Sequence, residues 1–166
     1  MDHWHNKIEA CMNVELLAAG TRAPAWVEQG FREYQKRLVG DWKLTLTQVP
    51  VAKRTKATST AKLKEQEGDK MLGLVKPGSM LIALDAGGER FTTGQFAEAI
   101  DGWRQVHGRL QMMIGGPDGL ADGCLSAASK VMSLSSLTFP HFLVRILVAE
   151  QLYRAWSVLN NHPYHK

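Results

Sequence analysis

The chain has 166 residues, enough for one domain with a real core, and its 45% hydrophobic and 22% charged composition excludes a disordered or fibrous protein. The formal charge of +4 and pI of about 9.2 are compatible with a nucleic-acid partner without establishing one. The most apolar stretch, 139–159, is interrupted by His141, Arg145, Glu150, Gln151 and Arg154, so no membrane span is expected.

Residues 1–11 show no periodicity and no apolar signal core. They read as a disordered extension ahead of a natural start at Met12, and the expected location is the cytoplasm. His3, Trp4 and His5 offer metal ligands there, but a leader is the preferred reading. Cys11 and Cys124 make neither a disulfide framework nor a zinc site. A strand opens at Val14 and runs to Gly20. From Ala23 a helix follows, with Pro24 in its tolerant first turn and Trp26, Val27, Gly30, Phe31, Tyr34 and Leu38 near 3.6 spacing. Lys43 to Val49 alternates as a strand. Ala52 to Thr60 lacks apolar periodicity and carries Lys53, Arg54 and Lys56, an exposed basic loop.

Ser59 or Thr60 caps a helix running to Val75, which Pro77-Gly78 ends. Met80 to Leu84 is a strand, and Asp85-Ala86-Gly87-Gly88 turns the chain. Thr92 or Thr93 starts a helix through Phe96, Ala99, Ile100 and Trp103. Leu110 to Ile114 is a further strand, ending in Gly115-Gly116-Pro117-Asp118-Gly119. Strands alternating with helices predict one α/β domain over 12–166, with a mostly parallel sheet covered by helices.

Ligands of such sheets bind at the carboxyl ends of the strands. Three loops stand there: 84–88, 114–119 and the run Leu134-Ser135-Ser136-Leu137-Thr138-Phe139. The glycines of the second loop lack a Cβ, so backbone can approach a ligand closely; a plain strand-to-helix turn is the alternative. The loop is not G-x-G-x-x-G, and no P-loop pattern occurs, which disfavours dinucleotide and P-loop phosphate chemistry. Pro140 biases Phe139 toward extended geometry, so 134–141 exposes backbone groups able to read a purine edge, unless it is a buried strand turning into a helix.

The last helix, roughly 141–160, is apolar on most sides, as a buried helix or subunit interface would be. Its polar line is Glu150, Arg154, Ser157 and Asn161, with Glu150 placed to pair with Arg154. Arg145 lies about 140° round the helix from Glu150 and needs another partner, expected across an interface. The chain closes on His162-Pro163-Tyr164-His165, proton-transfer and hydrogen-bonding groups around a rigid proline. No third ligand completes a metal set with the two histidines.

Taken together, 14–21, 81–85, 114–120, 133–135, 137–141, 143–145, 150–157 and 161–165 resemble the bacterial RlmH family, within the SPOUT methyltransferases. The resemblance covers Met12 to Lys166 in one order; the glycine loop with Thr138-Phe139-Pro140-His141 and the terminal His-Pro-Tyr-His is its specific part. It implies S-adenosyl-L-methionine-dependent methylation of N3 of a pseudouridine in 23S rRNA, on the assembled ribosome, by a homodimer whose C-terminal part is a deep trefoil knot. S-adenosyl-L-homocysteine is the implied product, and no metal is implied. It further implies cofactor contacts at Leu84, Gly115, Leu134, Ser135, Ser136, Leu137, Thr138 and Phe139. Arg154 and Tyr164 would hold the nucleotide, Glu150 would orient Arg154, and His165, or else His141, would transfer a proton. Lys53, Arg54 and Lys56 would take rRNA phosphates. Phe142 replaces a family proline, which is expected to relax the helix start, and residues 1–11 have no counterpart. Two other readings stand beside this one: a ribosome-associated RNA-binding module without catalysis, and a methyltransferase for another RNA nucleotide.

Overall fold

A computed structural model describes residues 11–166; His3, Trp4 and His5, expected to belong to an extension, lie outside the described residues. Five strands form one sheet: β1 Met12–Ala19, β2 Trp42–Val49, β3 Met80–Arg90, β4 Arg109–Ile114 and β5 Lys130–Ser133. They lie in the order β2-β1-β4-β3-β5, and every pairing is parallel. Helices α1 Ala25–Gln35, α2 Thr60–Leu72, α3 Thr93–Val106, α4 Asp122–Ala127 and α5 His141–Leu159 connect and follow them.

Both faces of the sheet are covered. Val14, Leu16 and Ala18 pack with α1, α3 and α5 in one core, while Leu17 and Ala19 pack with α2 and α4 in the other. A strand buried on both sides has no reason to alternate, so β1 reads as a continuous apolar run. Helix starts are fixed locally. The Ser59 side chain accepts the Lys62 N–H, and Thr92 forms a reciprocal capping box with Gln95. No helix of the described residues is long and apolar enough to cross a membrane.

The fold class agrees with the sequence; several local expectations are corrected. The stretch 85–88 does not end β3 but bulges within it, since Leu84 and Glu89 both pair with Met132. Gly88 is obligatory there, because a Cβ would stand 2.6 Å from the Met132 carbonyl carbon. Helix α4 and strand β5 went unread, being six and four residues long and too short to display a period. Helix α1 begins at Ala25 with Pro24 as its N-cap, and ends at Gln35. Leu38 is therefore buried beyond the helix, and Trp26 faces solvent with 57% exposure. Helix α2 stops at Leu72, before Val75.

Arg145 finds its partners inside its own chain rather than across an interface. Arg145 is 1% exposed, and its Nη2 donates to the carbonyls of Ala19 at 2.9 Å and Gly20 at 2.6 Å. The Phe142 ring lies 4.8 Å from the same cation. Burial pushes its pKa down, against a smaller upward pull from Glu28. Helix α5 begins at His141, just ahead of Phe142, and the Val144 N–H donates to the Pro140 carbonyl at 3.2 Å. Arg145→Ala removes the donors and leaves a void, so it should cost about 3 kcal/mol of stability. The measurement is the urea midpoint, and an unshifted midpoint would mean that Arg145 is not a clamp.

Candidate active site

A cavity of about 270 Å³ opens at the carboxyl ends of β4 and β5 and at the bulge within β3. Leu84, Asp85 and Ala86 form one wall, and Ile114, Gly115, Gly116, Pro117 and Gly119 a second. Met132 to Ser135 with Leu137, Thr138 and Phe139 form a third, closed by His141 and Val144 of α5. Its position is the one parallel sheets reserve for ligands.

Gly115 is required by the loop itself. A Cβ would meet the Gly119 carbonyl carbon at 2.5 Å and the Leu120 nitrogen at 2.6 Å, both rigid backbone. The loop closes where the Gly119 N–H donates to the Gly116 carbonyl at 3.0 Å, with Gly119 at φ 82°. The missing side chain thus admits neighbouring backbone, where the sequence suggested an approaching ligand. The third wall is braced by hydroxyls: Ser133 Oγ donates to the Ser135 carbonyl at 2.9 Å, and Ser135 Oγ accepts the Leu137 N–H at 3.0 Å. Ser136 is absent from the cavity wall, and its hydroxyl accepts from Arg90.

Among the lining residues Asp85 is the sole acidic or basic side chain besides His141. One Asp85 oxygen accepts the Gly87 N–H at 2.9 Å. His141 has its pKa lowered, first by burial and then by the charge of Arg145, so its imidazole is neutral at pH 7.

The tail builds a second constellation. Asn161 turns the chain at φ 53°, the His162 N–H donates to the Ser157 carbonyl at 2.8 Å, and Pro163–His165 make one 3₁₀ turn. Tyr164 Oη then donates to Glu150 Oε1 at 3.1 Å, the oxygen that also accepts Arg154 Nε at 2.9 Å. The Arg154 guanidinium stands 5.0 Å from the Tyr164 ring. The tyrosine pKa is driven up by burial first, then by hydrogen bonds with Tyr34 and Glu150, so it stays a donor. Arg154 is pushed up by its bond to Glu150. His165 Nδ1 sits 2.6 Å from the His162 carbonyl, which can only accept. Nδ1 is therefore the donor of that bond.

The structure therefore collects the expected residues into two groups. Leu84, Gly115, Leu134, Ser135, Leu137, Thr138, Phe139 and His141 line the cavity, whereas Glu150, Arg154, Tyr164 and His165 form the tail cluster. At about 1.5 Å of rise per residue, Arg154 is roughly 20 Å along α5 from His141, so one chain does not join them. Lys53, Arg54 and Lys56 are exposed on the loop after β2, and Arg54 pairs with Asp118 of the glycine loop. The sequence missed Ser133 and Val144, which depend on the unread β5 and on how α5 is seated. Asp85 and Ala86 were visible in the 84–88 loop, though not assigned a contact. Among the described residues no group of three or more His, Cys, Asp or Glu could hold a metal.

The sequence model of a family described as "Predicted SPOUT methyltransferase" matches residues 12–165. Among solved structures, a probable methylase family protein from Haemophilus influenzae Rd KW20 is similar in fold. Its TM-score is 0.54 at 13% identity, over 96% of this chain and 72% of that one. The likeness at that identity is one of fold.

His141 makes a pH prediction independent of any ligand. Its folded pKa lies below the ordinary 6.5, so below that pH the unfolded chain binds a proton that the folded one resists. Its contribution is complete above 6.5 and is lost as pH falls through the folded value. Between about pH 7 and pH 5, wild-type stability should fall more steeply than that of His141→Gln. Denaturation at both pH values measures this, and parallel declines would contradict it.

Proposed function

The chain belongs to the SPOUT methyltransferase family, and from that premise we propose that it methylates N3 of a pseudouridine in 23S rRNA, on the assembled ribosome in the cytoplasm. The observation that carries the proposal is the cavity itself. Every cofactor position implied by the RlmH resemblance except Ser136 lines it, although those positions lie in three separate loops.

The residues fit S-adenosyl-L-methionine. Leu84, Ile114, Leu134 and Phe139 offer apolar surface to an adenine, and Asp85 is an anion suited to a cationic ligand. When bound, the cofactor supplies a methyl on a positive sulfur; transfer forms the N3–C bond, breaks the C–S bond with its electron pair going to sulfur, and yields S-adenosyl-L-homocysteine. The protein's part is to hold, orient and deprotonate. His141 is the better placed histidine to accept the N3 proton, being neutral and in the cavity wall. Arg154 and Tyr164 hold the nucleotide, with Glu150 orienting both through Oε1. Lys53 and Lys56, with Arg54 when it leaves Asp118, take phosphates.

A homodimer completes this reading. Leu143, Leu147, Glu150 and Arg154 fall on one half-buried face of α5, at spacings of four, three and four. Two such helices packed antiparallel would bring the tail of one protomer to the cavity of its partner. The trefoil knot implied by the resemblance belongs to the same proposal.

Ribosomal subunits with and without pseudouridine, incubated with labelled cofactor, test the substrate. Incorporation is expected only where pseudouridine is present; equal incorporation would point to another nucleotide. No cofactor binding in calorimetry would leave an RNA-binding module. Deleting Tyr164 to Lys166 should spare cofactor binding and lower turnover on ribosomes by about 100-fold. Normal turnover in that truncation would reduce the tail to a cap on α5.

A further inference from the structure

A second cavity, of about 350 Å³, lies between the start of α3 and the middle of α5, and it shares Met132, Ser133, Leu134 and Phe139 with the first. Displacement at a methyl carbon needs the attacking atom in line with the leaving sulfur, at about 3 Å from the carbon. The target base must therefore lie next to the cofactor cavity, and this cavity adjoins it, the two sharing four wall residues. We propose that the second cavity seats the target nucleobase, a flat uracil-type ring; the inference rests on the methyltransferase reading above.

The chemistry of the walls suits that occupant. Phe91, Phe96, Phe139 and Leu147 provide apolar and aromatic surface for a ring. Gln151 supplies the polar group. One hydrogen of its Nε2 donates to Glu150 Oε2 at 2.7 Å, which leaves a second N–H and the Oε1 acceptor unused by that bond. Those groups suit the N1–H and C2 carbonyl of a pseudouridine ring, which leaves N3 free to meet the methyl. The same bond ties the base-reading amide to Glu150, which also holds Arg154 and Tyr164. Beside Phe91, Lys130 Nζ stands 5.3 Å from the ring centroid while pairing with Glu89 at 2.6 Å, and Arg90 donates to Ser136. These cations are positioned for phosphates flanking the target.

Thr93 lines the second cavity and not the first, so Thr93→Trp fills only the proposed base site. Gln151→Leu keeps the volume and removes the amide. S-adenosyl-L-methionine affinity is read by calorimetry, and kcat and KM by methyl transfer to ribosomal subunits. Both variants should bind cofactor as the wild type does. Thr93→Trp should lose about 100-fold in turnover, and Gln151→Leu should raise the KM for RNA about fivefold. Wild-type turnover in Thr93→Trp, or loss of its cofactor affinity, overturns the assignment. If that variant does not fold, an unchanged KM in Gln151→Leu overturns it. A wild-type protein that binds cofactor and methylates RNA, beside variants that do so equally well, defeats the base site alone. A wild type that binds no cofactor defeats the methyltransferase reading and the base site with it.

Discussion

Taking the guanidinium of Arg145 out of water costs free energy that two backbone carbonyls and an aromatic face must offset. Those carbonyls belong to Ala19 and Gly20, the point at which β1 leaves the sheet. The cation therefore joins the carboxyl edge of the sheet to the second turn of α5. Everything between β5 and α5 is then held at both ends. Strand β5 has only four residues and pairs with β3 alone, so it is a poor anchor for the segment 134–140. The seat of α5 supplies the rigidity that the short strand lacks, and the third cavity wall depends on it.

The same helix has two chemically different ends. Its start carries His141, kept neutral by burial and by the nearby Arg145, in a cavity whose one carboxylate is Asp85. Its far part carries Glu150 and Arg154, locked to Tyr164 by a tail that folds back. The first cavity is lined by no cation of its own, and the tail cluster supplies Arg154. The proposed antiparallel dimer joins the two halves, and the apolar face through Leu143 and Leu147 gives it a surface to bury. Glu150 then has two duties, since it orients the tail through Oε1 and Gln151 through Oε2.

Glycines in ligand-binding loops invite the explanation that a ligand comes close. In this protein the nearest neighbour is the chain. Gly88 faces the Met132 backbone and Gly115 faces that of Gly119, each at a distance no Cβ tolerates. Both residues let the carboxyl edge fold over itself tightly enough to form walls. A substitution at either position therefore reshapes the cavity before it meets any ligand.

By itself the sequence determined the α/β class, four of the five strands, the four longer helices and the caps of two of them to within one residue, at Ser59 or Thr60 and at Thr92 or Thr93. Those features rest on local periods, caps and apolar runs, which are written along the chain. It also marked the segments 84–88, 114–119 and 134–139 and the Glu150–Arg154 pair, because helix spacing and strand order suffice for them. Only the tertiary structure decided the rest. Strand β5 exists because β3 offers it an edge, and the 85–88 bulge because β5 lies against it. Arg145 chose backbone carbonyls more than a hundred residues away, a contact no local spacing encodes. The separation of the tail from the cavity follows from the length and seating of α5, since adjacency in space depends on how a rigid helix is docked.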